Sequence, residues 1–172
     1  MKSITLISDT HSHLDEAILQ HCREADEVWH GGDLGQIEIL GPLKEASKIL
    51  RGVYGNIDQQ NVREQWPLNL EFECEGVKVF MTHIGGYPGR YTGRVKKILQ
   101  KSLPNLYICG HSHICKVMPD KELQILHMNP GACGHEGFHS IRTILRFDVS
   151  EGKITNLRAI ELGKRGHISA SS

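Results

Sequence analysis

Short apolar runs, broken by polar and glycine-containing turns, dominate the chain, and their periods predict its elements. Ser3-Ile4-Thr5-Leu6-Ile7-Ser8 is a β-prone run bounded by polar residues, as a buried strand requires. Residues 14–25 place Leu14, Ala17, Ile18 and Cys22 at helical spacing, with Asp15 and Glu16 at the N-terminal end, where the helix dipole favours acids. Glu27-Val28-Trp29-His30 reads as a second strand, 36–50 as a helix kinked or restarted at Gly41-Pro42, and Arg51-Gly52-Val53-Tyr54 as a third strand. The first 58 residues thus run β-α-β-α-β, the pattern of a parallel sheet with right-handed crossovers.

The remainder is richer in strand. Residues 68–72 and 77–82 flank Glu75-Gly76 as a hairpin, 90–102 have basic helical character, and 106–109 form a strand running into Gly110-His111. Strands are also predicted near 114–118, 123–128, 141–149 and 153–161, the last pair turned by Glu151-Gly152. No repeat, linker or low-complexity block interrupts the pattern. One domain over 1–162 is expected, with 163–172 as a frayed polar tail.

Composition narrows the function. Lys+Arg and Asp+Glu both total 20, so the formal net charge is zero. That argues against stable, sequence-independent nucleic-acid binding, which needs a basic face. A small phosphorylated substrate remains compatible, because a metal can supply positive charge locally. No run approaches the roughly 18 apolar residues needed to cross a bilayer, and no signal peptide opens the chain. The five cysteines are odd in number and form no C-x-x-C pair, so a reducing, cytoplasmic setting is expected.

Candidate chemistry collects at the carboxyl ends of predicted strands. Asp9-Thr10-His11 follows the first strand, Gly32-Asp33 the second and Gly55-Asn56 the third. Thr82-His83 ends the hairpin, and Gly110-His111-Ser112-His113 follows the next strand. In open α/β sheets these ends form the ligand crevice, so residues distant in sequence converge. Asp and His donors suit manganese, iron or zinc. Singly, each cluster is ordinary turn or loop chemistry; five in order are not explained that way. Read as an extended segment, His111-Ser112-His113 is expected to address two metals.

The ordered series D-x-H, G-D, G-N, strand-end His and G-H-x-H, spanning residues 9–113, resembles the calcineurin-like metallophosphoesterase superfamily. The short length and Asn129-Pro130-Gly131 resemble its compact bacterial and archaeal phosphodiesterase branch. The resemblance implies an α/β fold, a single-domain four-layer α-β-β-α sandwich with two divalent ions at one edge: manganese foremost, with iron, zinc or nickel as alternatives. It assigns Asp9, His11 and His113 to one ion, Asn56, His83 and His111 to the other, and Asp33 to the bridge. Two ions bring about four positive charges, and Asp9, Asp33 and a bridging hydroxide remove about three, leaving a surplus for phosphate. Asp33, Asn56, Asp58 and His83 are the residues expected to act in catalysis. The implied reaction is hydrolysis of a phosphoester, a diester before a monoester, by attack of the bridging hydroxide. Relatives are often dimers or larger.

Two positions depart from the family pattern. Many members have a histidine directly after the G-N asparagine, proposed to protonate the leaving group; here Ile57 stands there. Compact relatives often read T-H-G-H where this chain has Thr82-His83-Ile84-Gly85, so a second histidine is replaced by Gly85. The following glycine-rich loop is expected to be flexible and carries Arg90, a candidate phosphate ligand. His127, His135 and His139 are read as surface or core residues. Asp9-Thr10-His11-Ser12-His13-Leu14 also resembles the start of a TatD-type deoxyribonuclease, and His11-x-His13-x-Asp15 grazes the metallo-β-lactamase pattern. Neither accounts for the later clusters, and a TIM barrel needs about 250 residues. The rival of another class is a non-catalytic scaffold, as in the retromer subunit that shares this fold.

Overall fold

Alternation of side chains decides how the first strand is used. In β1 (Lys2–Ile7) Ile4 and Leu6 point to one face, while Thr5 and Ile7 point to the other. Both faces are covered, which is why the run reads as nearly continuous apolar sequence. The computed structural model describes residues 1–166. β1 is central in a five-stranded sheet of order β10-β9-β1-β2-β3, with β2 (Glu27–His30) and β3 (Leu50–Gly52) parallel to their neighbours. β9 (Ile141–Ser150) returns antiparallel to β1, and β10 (Lys153–Lys164) pairs with β9.

A second five-stranded sheet has the order β4-β5-β6-β8-β7. It is built from the hairpin β4 (Asn69–Cys74) and β5 (Val77–Thr82), then β6 (Leu106–Ile108), β7 (Cys115–Asp120) and β8 (Ile125–Pro130). Three apolar layers hold the assembly. Ile4, Leu6, Trp29 and Phe147 of the first sheet meet Val79, Met81, Ile108 and Met128 of the second. The outer face of the first sheet packs Ile7, Val28 and Ile144 on three helices: α1 (Glu16–Glu24), α2 (Leu40–Glu45) and α3 (Gln60–Arg63). The outer face of the second packs Phe80 and Tyr107 on Val95 and Leu99 of α4 (Gly93–Ser102). Three clusters between four layers give the α-β-β-α sandwich.

The helix predicted over 36–50 is a 3-10 turn, Ile37–Ile39, followed by the six-residue α2. Pro42 falls in the first turn of α2, where its missing N–H costs no helical bond. α3 lacks an extended apolar stripe and buries only Val62, so periodicity did not announce it. β10 continues past the expected boundary at 162: Gly163 and Lys164 pair with Arg142 and Ile141, and Arg165 N–H donates to Ser140. The rest of the expected tail, residues 167–172, lies outside the described residues. Among the described residues, no helix is long and apolar enough to cross a membrane.

Candidate metal centre

The carboxyl ends of β1, β2, β5 and β6 and the loop after β3 converge as expected, and they bring all seven predicted donors together. Two triads form: Asp9, His11 and His113, and Asp33, His83 and His111. Asn56 adjoins the second, with its Oδ1 3.0 Å from Nδ1 of His111. Asp9, Asp33 and His83 are buried, whereas Asn56 and His111 are exposed, so the cluster has a closed floor and an open rim.

Each carboxylate has one oxygen anchored and one presented. Asp9 Oδ2 accepts from the Ser8 hydroxyl at 2.6 Å and from His111 N–H at 3.2 Å. Its Oδ1 faces Nε2 of His113 at 3.0 Å, of His11 at 3.7 Å and of His83 at 3.8 Å. Asp33 Oδ1 accepts the Ile57 N–H at 3.1 Å, and Oδ2 faces Nε2 of His83 at 3.1 Å and of His11 at 3.4 Å. Asp33 therefore touches both triads. A side chain at Gly55 would collide with Asp33 Oδ1, so only glycine lets the third strand end this close.

The ring tautomers follow from the outer bonds. His83 Nδ1 lies 2.7 Å from the Gly31 carbonyl and must donate to it, leaving a lone pair on Nε2. His139 Nε2 donates to Gly134 O at 3.0 Å, so its Nδ1 can accept from Nδ1 of His113 at 3.3 Å. That bond leaves a lone pair on His113 Nε2 as well. Both lone pairs point at carboxylate oxygens, an arrangement that repels unless a proton or a cation sits between them. Among the described residues, four buried side-chain atoms lack a hydrogen-bond partner, and three are here: Asp9 Oδ1, His11 Nε2 and His83 Nε2. Oxygen and imidazole donors left unpaired around one space fit a pair of divalent cations.

Without a cation, protons take up part of the task. The carboxylates of Asp33 and Asp9 raise the pKa of His11 to about 10. His83 is also raised: burial opposes its charge, but Asp33 and Asp9 outweigh that effect. Burial alone would raise Asp9 and Asp33, yet their histidine partners hold both well below the usual carboxylate range. Burial lowers His111 at the rim.

The backbone carries strain at the donors. Asp9, His11, Asp33, His111 and His113 all have φ between 44° and 70°. Each such residue costs roughly 1–2 kcal/mol relative to right-handed backbone. This corrects the expectation for His111 and His113. Their segment is not extended, since β7 begins only at Cys115, and in a strand i and i+2 would share a face. Left-handed turns at both residues send the two imidazoles to different triads.

Asp58 is placed differently from a reacting group. Its oxygens accept from Gly55 N–H at 2.7 Å, Gly35 N–H at 2.9 Å and Leu34 N–H at 3.2 Å. Those bonds tie the loop bearing Asp33 to the loop bearing Asn56, and the carboxylate is spent on them. His30 and His139, given no role from sequence, support the site. His30, fully buried with its pKa pushed down to about 4 by burial, bonds Thr10 Oγ1 and Gly32 N–H beneath Asp33. No sequence signal singled out His139; spacing does not link it to His113. Arg90 is exposed, and its loop is pinned by bonds from Arg90 N–H to Tyr87 O and from Thr92 N–H to Gly85 O. His13, Asp15 and His135 form a further donor triad, but Asp15 is already the N-cap of α1 and pairs with Arg142 at 2.6 Å.

Residues 1–152 match the model of the calcineurin-like phosphoesterase superfamily domain, and the chain belongs to that family. A probable metallophosphoesterase of Methanothermobacter thermautotrophicus is 29% identical over 134 residues, covering 75% of this chain and 76% of the relative. An archaeal phosphodiesterase of known structure superposes with a TM-score of 0.73 at 23% identity, over 93% of this chain and 99% of the other. Zinc-complexed Vps29 of Entamoeba histolytica superposes with a TM-score of 0.71 at 14% identity, over 94% and 98%. The two structural likenesses concern the fold.

Proposed function

We propose that this protein is a metal-dependent phosphodiesterase with two divalent cations, one held by Asp9, His11 and His113 and the other by Asn56, His83 and His111, with Asp33 shared. Manganese is the first candidate, with iron, zinc and nickel as alternatives that the same nitrogen and oxygen donors accept. The carrying observation is the set of unpaired buried donors, Asp9 Oδ1, His11 Nε2 and His83 Nε2, turned toward one space. When bound, the cations supply Lewis acidity that acidifies water and neutralises charge on phosphate oxygens.

The chain's own residues prepare that chemistry. Ile57 N–H and Ser8 Oγ fix the two carboxylates, and Gly31 and His139 fix the tautomers of His83 and His113. Asn56 and His111, on the open rim, are placed to meet a phosphate entering from solvent. A neutral Asn56 there keeps more positive charge for the substrate than a third carboxylate would. Asp58 is a positioning residue in this reading. The preference for diesters draws on the resemblance to the compact branch and on the likeness to a phosphodiesterase structure.

A second reading, a protein-binding scaffold on the same fold, is favoured by one observation: Ile57, an apolar side chain that can donate no proton, is 41% exposed at the rim. Metal analysis joined to hydrolysis of bis(4-nitrophenyl) phosphate with added Mn²⁺ separates the two. The phosphodiesterase reading expects about two ions per chain and metal-dependent turnover. Bound metal with no turnover on any ester would favour the scaffold.

A further inference from the structure

A pocket of about 190 Å³ opens beside His111, on the outer face of the second sheet. Its walls are Ile84, Tyr87 and Ile114, and His127 lines it from β8. Gly110, His111 and Ser112 line it too, so pocket and metal cluster are continuous. The volume is below the roughly 300–1,000 Å³ of sites that bury a drug-sized ligand, which limits the occupant to a single ring system.

The loop that forms one wall is fixed by close contact. Tyr107 Oη donates to Gly86 O at 3.1 Å, and a side chain at Gly85 would collide with that same hydroxyl. The glycine at position 85 is therefore what lets this wall sit against Tyr107. At the rim, Lys116 Nζ stands 3.6 Å from the centroid of the Tyr87 ring and holds that ring in place.

One polar atom of a lining residue is unexplained. Of the four buried side-chain atoms without a partner among the described residues, three belong to the metal cluster and the fourth is Nδ1 of His127. Asn129, the other buried polar side chain there, is already bonded to Gly110 O, Ser112 Oγ and Gly131 N–H. His127 therefore lends the pocket a buried ring with no polar partner on Nδ1, beside the apolar walls. Burial also pushes the pKa of His127 down to about 4, so it meets a ligand as a neutral group at neutral pH.

We propose that this pocket receives an aromatic ring carried directly on the ester oxygen, so that the substrate is an aryl phosphoester, with the ring held between Ile84, Tyr87 and Ile114. The inference rests on the phosphoesterase reading above and extends it to substrate class. It accords with Ile57: a phenolic leaving group departs without the protonation that an alkyl alcohol needs.

The test is calorimetric titration of the Mn²⁺-loaded protein with phenylphosphonate and with methylphosphonate. The phenyl compound should bind at least about tenfold more tightly, as expected for burying one ring. Ile84→Trp, which fills the pocket, should bring the two affinities together while methylphosphonate binding persists; Ile114→Trp, on the opposite wall, serves if that variant does not fold. Equal affinities in the unaltered protein would overturn the pocket assignment and leave the metal centre standing. Failure of both phosphonates to bind would overturn the metal-centre reading and this inference with it. A gain for adenosine 5′-monophosphate over ribose 5-phosphate without a gain for phenyl over methyl would also overturn it, in favour of a nucleoside.

Discussion

His113 and His139 face each other through their Nδ1 atoms at 3.3 Å, and His139 is held in turn by the Gly134 carbonyl. The pair fixes which nitrogen of His113 is free for a cation. Removing such an outer partner commonly weakens metal binding by about 10–100-fold. His139→Ala should do so at the first triad while the fold survives, and His139→Gln, whose amide oxygen can accept, should recover part of the loss. Competition against a graded chelator reads both. Unchanged affinity in His139→Ala would assign the contact to packing alone.

Metal uptake should release protons. His11 has a pKa of about 10 without a cation and so is charged at neutral pH, yet a ligand must be neutral. Affinity should therefore rise with pH, by up to about tenfold per unit below pH 10 from this group. Titrations in two buffers of different ionisation enthalpy count the protons. In the metal-free protein the sign is opposite: a raised pKa stabilises fully below about 6.5 and is lost through about 10. Its melting temperature should fall over that range, where the loaded protein stays comparatively level.

Asp33→Asn should lower turnover by about 10³-fold or more, a loss near 4 kcal/mol in barrier terms, and should weaken metal binding. Asp33 Oδ2 is the oxygen that faces both triads, whereas Oδ1 is held by Ile57 N–H. Full activity in this variant, measured with metal content in the same sample, would remove the shared-ligand assignment.

Ile57→His should restore a group able to protonate a departing alkoxide. General acids contribute about 10²–10⁴-fold when the leaving group needs them. Turnover of the unaltered protein should fall steeply as leaving-group pKa rises across a series of esters, and the substitution should flatten that dependence. The same slope in both proteins would show that no acid is missing at this position.

Far from the metal cluster, Glu27 carries a pH dependence of its own. It is fully buried and binds Arg51 at 2.9 Å, Lys2 at 2.8 Å and Trp29 Nε1 at 2.9 Å. Burial alone would raise its pKa, but those partners lower it below 4.5. Its contribution is therefore present above about pH 4.5 and lost as pH falls through the depressed value. Glu27→Ala should cost about 1–3 kcal/mol at pH 7, chiefly by leaving the buried Trp29 indole N–H without an acceptor, and less in acid. Urea unfolding at two pH values reads the difference.

Most of the strands, and the convergence of the seven candidate donors, were legible because strands announce themselves by apolar runs and their ends by Gly-Asp, Gly-Asn and Gly-His. Short elements were not: α3 buries one apolar side chain, and the helix over 36–50 shrank to six residues at Pro42. Asp58 was expected to act in catalysis, because a carboxylate beside a donor reads alike whether it reacts or ties loops; its three backbone bonds are what distinguish it. His139, His30 and His127 were illegible for a related reason. Their importance lies in a partner, or the lack of one, from another strand, and local pattern carries no trace of it.

The left-handed backbone at Asp9, His11, Asp33, His111 and His113 also bears on how such a chain can change over generations. Glycine is relaxed at those torsions, so replacing a donor by glycine there removes a steric penalty along with a ligand. Activity and foldedness then pull against each other at each of these positions. A descendant with glycine at these turns would keep the shape with less backbone strain, but it would also forgo the stabilisation that a bound cation gives the folded chain.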